Sequence, residues 1–460
     1  MTISQFGSKL LSFFLVPLYT SVLSLEDYGI YDLYNTTITL LVPILTLCLS
    51  DAALRFPLDE DSDDVAVLTI CVRRYLFGQV IILVPLIANR IFNFIPIINY
   101  YWVFLIFMYM SNALSGIFIN FARGIDHVKE VGISGVICSV FMLGLNILFL
   151  LPLKMGLTGY FLANIIGSLV QILYLFISLK LWKYLNFGGK YQDIREKMIS
   201  YSAPLIANTT AWWVNNVSDR YVVTWISGIA ANGVYSVAYK IPTILSAFQG
   251  IFNQAWTLSA VKEFDTEDSK GFFCEIYNLY NFSMVFVCSG LITTARLIAK
   301  IMFAKDFYDA WLFVPWLLIS VVFGALSGYL GGIFAAVKNT KIFAQTTVIS
   351  AIINIVLNIV LVNYIGPLGA ALATLISYWV IYVVRIKYVK KYISIQLKIM
   401  RDTCSYLVLL VQAIILCVFK TESLLLYFIE FVFVLVILLL YIDEVTRIMN
   451  MILRRLKRNE

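Results

Sequence analysis

The chain has 460 residues, 61% apolar and only 13% charged, with a formal net charge of +7. A soluble domain carries about 45–50% apolar and about 25% charged residues, so this excess cannot be buried in one water-soluble core and lipid must be its solvent. That excludes a soluble enzyme, and it turns the positive charge from a hint of nucleic-acid binding into a record of membrane topology.

Fourteen stretches reach the ~20 mainly apolar residues that a spanning helix requires. In chain order they cover roughly 4–24, 31–50, 66–88, 97–119, 132–152, 157–178, 199–226, 231–253, 272–294, 310–334, 342–362, 366–384, 403–419 and 423–442. Lipid offers no partner to a bare peptide group, so these runs must be helices; barrel strands would be shorter and would alternate polar with apolar. An all-α polytopic membrane protein is predicted. No cleavable signal peptide is expected, because no small-residue cleavage site closes the first apolar stretch.

With the N-terminus placed in the cytoplasm, 25 of the 34 Lys and Arg fall on inner loops, inner helix ends and the tail, and seven on the outer side. Lys9 and Lys240 fall within spans. This asymmetry predicts cytoplasmic termini on both sides of an even number of spans. The basic segments Lys180–Lys197 and Arg385–Arg401 each follow the sixth span in a run of six. The expected organisation is an N-terminal six-helix lobe (1–185), a C-terminal six-helix lobe (186–400), an appended helix pair (401–442) and a basic cytoplasmic tail (443–460).

Internal similarity supports two lobes. Gly156-Leu-Thr-Gly-Tyr-Phe-Leu-Ala163 aligns with Gly366-Pro-Leu-Gly-Ala-Ala-Leu-Ala373, and Gly29-Ile-Tyr31 aligns with Gly233-Val-Tyr235, at offsets of 210 and 204. Parallel repeats of this kind are typical of transporters. The seven cysteines lie mostly in apolar runs without a C-x-x-C pair, and His127 is the one histidine, so neither a disulfide framework nor a metal or haem centre is expected.

Three segments carry a family resemblance. Lys9-Leu-Leu-Ser-Phe-Phe-Leu-Val-Pro17-Leu-Tyr-Thr20, followed by Glu26-Asp-Tyr-Gly29-Ile-Tyr31, resembles the opening of polysaccharide repeat-unit flippases. Ser218-Asp219-Arg220 and Gly233-Val-Tyr-Ser-Val-Ala-Tyr-Lys240 resemble the start of their second lobe, and Asn354 and Asn358 before Gly366-x-x-Gly369 resemble its last helices. The family is the O-antigen and capsular polysaccharide flippases of the multidrug/oligosaccharidyl-lipid/polysaccharide exporter superfamily. The resemblance implies two lobes forming a V around a central cavity, worked by alternating access. It also implies a substrate, an undecaprenyl-diphosphate-linked oligosaccharide moved from the inner to the outer leaflet of the bacterial cytoplasmic membrane. Membrane lipids, a polysaccharide polymerase and glycosyltransferases are the implied partners.

An anionic diphosphate with a hydrated glycan demands a wet, cationic cavity, and each charge at membrane depth costs about 2.5–3.5 kcal/mol on insertion scales. The candidate cavity cations are Lys9, Arg55, Arg220 and Lys240. Lys9 and Arg220 are expected to face a shared cavity; the competing roles are snorkelling for Lys9 and ion pairing within the bundle for Arg220. Asp32 and Asp219 are the candidate carboxylates for coupling to a proton or sodium gradient; no other cofactor is expected. An Asp32–Lys240 gate competes with separate interfacial placement. Asp51 and Arg55, four apart, share a face if the second helix extends that far. Trp212, Trp213, Asn215 and Asn216 are candidate sugar contacts, against lipid-facing or packing roles. Glu430 lies mid-span, as a coupling or lipid-groove residue or as a packed one.

A cation or drug exporter of the same superfamily would favour intramembrane carboxylates, whereas the cations outweigh them here. A polymerase requires a large outer loop and a glycosyltransferase a carboxylate cluster on a polar domain. The outer loops are short, and Asp59-Glu-Asp-Ser-Asp-Asp64 reads as a solvated inner loop. A transporter rather than an enzyme is expected.

Overall fold

The computed structural model describes residues 15–93, 96–337, 339–419 and 421–456. Lys9 and most of the first expected span lie outside the described residues. The helices are α1 (Val16–Val22), α2 (Leu25–Thr46), α3 (Leu49–Arg55), α4 (Asp64–Phe92), α5 (Pro96–Gly124), α6 (Val128–Leu150), α7 (Gly156–Ser178), α8 (Gln192–Val217) and α9 (Asp219–Ser227). They continue with α10 (Ile229–Ala238), α11 (Pro242–Lys262), α12 (Phe272–Met302), α13 (Val314–Ala336), α14 (Thr340–Ile365), α15 (Pro367–Val389), α16 (Ile399–Val418), α17 (Leu424–Leu440) and α18 (Ile442–Leu456).

The protein is an all-α polytopic membrane protein: among the described residues some helix falls in each of the fourteen expected stretches, and no strand occurs. Among the described residues, nine helices are by themselves long and apolar enough to cross a membrane, and two more spans form if each bent pair counts as one. The bends are 65° after α2 and 75° after α17. The first follows Leu47 and Cys48, successive residues with φ of 56° and 52°, a left-handed conformation that no α-helix continues. Asp51 and Arg55 therefore sit on the separate helix α3 and not on an extension of α2. The expected spans 199–226 and 231–253 are likewise interrupted, at Ser218 and at residues 239–241.

By their contacts the residues fall into two compact units, Met1–Val217 with Ile229–Gly233, and Ser218–Gly228 with Val234–Glu460. Helix α8, placed by charge and repeat pattern at the start of the second lobe, packs in the first unit on α2, α3 and α4. In that unit Gln171 of α7 accepts a hydrogen bond from Ser115 of α5 (3.2 Å) and donates one to Ser134 of α6 (3.1 Å), tying three spans together inside lipid.

The two glycines aligned by the internal repeat meet in this unit. A Cβ on Gly233 would lie 2.0 Å from the Leu25 carbonyl oxygen, and one on Gly29 2.3 Å from that of Ile229. Only glycine permits this backbone approach. Gly233→Ala is expected to destabilise by about 1–3 kcal/mol through overpacking. Gly144→Ala, where nothing lies within 4 Å of the new methyl, is its neutral control. Thermal unfolding of the two variants in detergent, run side by side, checks the contrast; equal midpoints would show that the approach is not required.

The second unit is built around α13, most of whose residues are buried against α11, α12, α15 and α16. Two arginines are sealed inside it. Arg296, 2% exposed, donates to the carbonyls of Leu416 (2.6 Å) and Phe419 and lies 3.9 Å over the Trp311 ring. It thereby satisfies the orphan carbonyls at the C-terminus of α16. Arg385, 1% exposed, donates to Thr346 (3.0 Å) and Thr347 (2.9 Å) hydroxyls and to the carbonyls of Ser327 (2.8 Å) and Phe343 (3.2 Å).

Candidate functional site

The two interrupted spans are consecutive in the chain and joined by a turn at Gly228, whose φ of 92° favours glycine. Pro242 opens α11; its missing N–H and its ring forbid continuation from α10. At Ser218 the small polar run Asn215-Asn-Val-Ser-Asp219 offers the backbone side-chain partners that compete with helix bonds. At a rise of about 1.5 Å per residue, Ser218 and Lys240 lie about 15 and 18 Å along the helices from Gly228. That is about half the ~30 Å thickness of a bilayer core. Irregular backbone at that depth is tolerated only when buried in protein or lining a wet cavity.

Asp219 stands at this level. It is 1% exposed, and its Oδ2 accepts hydrogen bonds from the hydroxyls of Tyr235 (2.6 Å) and Tyr239 (2.5 Å). Its Oδ1 accepts from the backbone N–H of Arg220 (2.9 Å). The two tyrosines, four apart on one helical face, bring their hydroxyls to 3.2 Å of each other. The Arg220 guanidinium lies 5.0 Å from the centre of the Tyr239 ring, a cation–π distance. A carboxylate is thus held by three donors, with a permanent cation beside it. Such a centre can exchange a proton or small cation at the carboxylate and hold an oxyanion at the guanidinium.

Sequence reasoning named Asp219 and Arg220 but missed the tyrosines that hold them. The signal was present in Tyr235 and Tyr239 at i, i+4 within the second repeat motif. The repeat also shows what is asymmetric. Tyr31, aligned with Tyr235, packs on Tyr160 at 4.1 Å in the first unit, and the position aligned with Asp219 is Leu15, 2% exposed. The carboxylate belongs to the second half alone.

Lys240, expected within a span, is half-buried in the interruption before Pro242, and its carbonyl accepts from the Thr243 hydroxyl (2.5 Å). Asp32 is buried on α2 in the first unit. Arg55 pairs with Asp59 at 2.6 Å, both side chains about half exposed. The turn Phe56-Pro57-Leu58 brings Asp59 back over Arg55. Of the four candidate sugar contacts, Trp213 donates to the Thr36 carbonyl (3.1 Å), and Asn215 and Asn216 donate to Ala211 (3.1 Å) and Trp212 (2.7 Å) carbonyls of their own helix. Trp212 and Asn216, one turn apart, share an exposed face. Glu430 is fully buried on α17. Among the described residues no group of three or more metal-ligating side chains occurs.

Residues 1–260 match the family described as polysaccharide biosynthesis protein, more than half of the chain. The chain belongs to that family. A curated relative, a probable low-salt glycan biosynthesis flippase of Haloferax volcanii, is 26% identical over 197 residues, and the match spans 41% of each chain. Among solved structures, an inward-facing multidrug resistance MATE transporter of the MOP superfamily superposes with a TM-score of 0.69 at 14% identity, covering 88% of this chain and 99% of its own. The lipid II flippase MurJ, in an inward closed conformation, gives 0.68 at 18% identity, covering 97% and 98%. The fold is that of these transporters.

In this family member, Tyr235→Phe and Tyr239→Phe each remove one donor from a buried carboxylate, at a cost of about 1–3 kcal/mol. Each variant is expected to lower the thermal midpoint in detergent, and the double variant to exceed either alone. A double variant as stable as the parent would mean that the hydroxyls do not hold Asp219.

Proposed function

We propose that the protein flips undecaprenyl-diphosphate-linked oligosaccharide repeat units from the inner to the outer leaflet of the bacterial cytoplasmic membrane, for assembly of a surface polysaccharide. The observation that carries this reading is the Asp219–Tyr235–Tyr239 centre with Arg220, set beside paired helix breaks about 15–18 Å along the helices from the Gly228 turn. A charge built into apolar helices, at a discontinuity of two of them, serves a hydrophilic passenger. Family membership supports a glycan as that passenger.

In the proposed cycle Arg220 holds the diphosphate, with Lys9, Arg55 and Lys240 as further cations along its route. Asp219, with Asp32 as a second candidate, couples the step to a proton or sodium gradient. Trp212, Trp213, Asn215 and Asn216 contact sugar when their local bonds are released. Residues 1–185 rock against 198–400, exposing the site alternately to the two faces. A polymerase and glycosyltransferases work on either side of this step, and no covalent chemistry is assigned to the chain itself.

The competing reading, export of a cationic drug, rests on the buried carboxylate of Asp219. Deletion of the gene separates the two. The glycan reading predicts loss of surface polysaccharide and accumulation of lipid-linked repeat units in the inner leaflet. Unchanged polysaccharide with new drug sensitivity would favour the cation. Orientation is tested by reporter fusions after Lys183 and Lys391, both expected to read cytoplasmic; an outside signal at either would refute the lobe assignment.

A further inference from the structure

Away from the Asp219 centre, the first unit holds a pocket of ≈ 630 Å³ at the end of α4 that carries Arg73 and Arg74, closed on its other side by residues 188–199. Its size is that of a small-molecule site, about 300–1,000 Å³. Three features distinguish it from a solvated basic surface. Its lining includes four cations, Arg73, Arg74, Lys190 and Arg195, and no carboxylate. Arg74 and Arg195 line the same cavity, and no ion pair among the described residues involves any of the four. The Arg74 Nε is shielded from solvent with no hydrogen-bond partner among the described residues. Like charges gathered around a cavity without counter-charge cost free energy that a bound anion returns.

The pocket is built, not incidental. Arg73 donates to the carbonyls of Phe187 and Gly189 (2.9 Å for the latter), and Thr69 accepts from the Asn186 N–H (3.0 Å), so the segment after α7 is fixed against α4. Arg73 is therefore a positioning residue, and Arg74, Lys190 and Arg195 are left to meet a ligand. Gly188 and Gly189 leave that wall without bulky side chains. Leu47 adds apolar lining, as do Ile70 and Phe77 from α4 itself, the Arg74 guanidinium lying 5.1 Å from the centre of the Phe77 ring, and this suits a phosphate carried on an apolar or sugar body.

We infer that this pocket is a second ligand site, which binds a diphosphate or phosphate-ester group through Arg74, Arg195 and Lys190. Two sources share that chemistry, the headgroup of a polyprenyl-diphosphate lipid at the basic membrane face and a soluble phosphate ester. The inference stands apart from flipping, because binding is read without transport.

The test is equilibrium binding of labelled inorganic pyrophosphate to the purified full-length protein in detergent. Binding is expected to weaken with rising salt, and Arg74→Gln with Arg195→Gln to weaken it about tenfold or more. Arg74→Lys is expected to retain part of the affinity, since it keeps charge without the planar fork. Lys190→Gln and Arg195→Gln change exposed side chains and leave folding intact, so they decide the matter if the Arg74 variant does not fold; each is expected to weaken binding severalfold. Displacement of the label by nanodiscs containing polyprenyl diphosphate assigns the site to a lipid headgroup. Displacement by soluble sugar phosphates alone assigns it to a free ester, and either result retains the site. Pyrophosphate binding no tighter than sulfate, or unchanged in Arg195→Gln and Lys190→Gln, overturns it. A protein that binds here yet moves no glycan would contradict the transport reading and not this one.

Discussion

Arg220→Ala is expected to abolish glycan export while the protein remains in the membrane at its normal level. A charge-assisted hydrogen bond to a phosphate contributes about 1.5–3 kcal/mol, roughly ten- to a hundredfold in binding for each such bond removed, and a guanidinium offers two in parallel. In this variant the Asp219 carboxylate keeps three donors, the Tyr235 and Tyr239 hydroxyls and the backbone N–H of residue 220, which the alanine retains. Arg220→Lys keeps the charge and loses the fork, and is expected to retain partial export. The check is surface polysaccharide measured against membrane protein level. Export at the wild-type rate in Arg220→Ala would make the residue idle. Disappearance of the protein would make it a structural ion-pair member.

Arg385→Ala is expected to act the opposite way, removing folded protein before any question of transport arises. The side chain is 1% exposed and serves two threonine hydroxyls and two backbone carbonyls from α13 and α14. Deleting it removes the four hydrogen bonds of this buried side chain, each contributing about 0.5–1.5 kcal/mol, and leaves a cavity of arginine size. The total is a large share of a stability of about 5–15 kcal/mol. Membrane level and thermal unfolding of the solubilised variant measure this. A midpoint within a degree or two of the parent would show that water or neighbouring side chains take over the role.

These two arginines illustrate what was legible in the sequence. Both entered the count of basic residues as helix-end charges, Arg220 on the outer side and Arg385 on the inner. Charge counting reads position along the chain, and the apolar runs led to an all-helical membrane protein because lipid leaves a run of about 20 such residues one conformation. It does not read which way a side chain faces. Arg385 and Arg296 are therefore structural cations inside the second unit, and neither was singled out in advance. The breaks at Ser218 and before Pro242 were hidden for a related reason. Hydropathy averaged over a span is insensitive to one missing backbone bond, although Pro242 was a visible warning. Asp219 and Arg220 were legible as charges in an apolar run, but their tyrosine partners required the helical register of α10 and the turn beyond it. The pocket at Arg73 and Arg74 required contact between segments more than a hundred residues apart, which spacing along the chain does not reveal.

The most direct measurement of the central claim is translocation by the purified protein in proteoliposomes. A polyprenyl-diphosphate-linked saccharide is placed in both leaflets, and its exposure to an impermeant sugar-modifying reagent is followed with time. The wild-type protein is predicted to bring nearly all of the lipid within reach of the reagent, whereas Arg220→Ala vesicles stop at the outer-leaflet half, as protein-free vesicles do. Wild-type vesicles that also stop at half, or Arg220→Ala vesicles that match the wild type, would contradict the account.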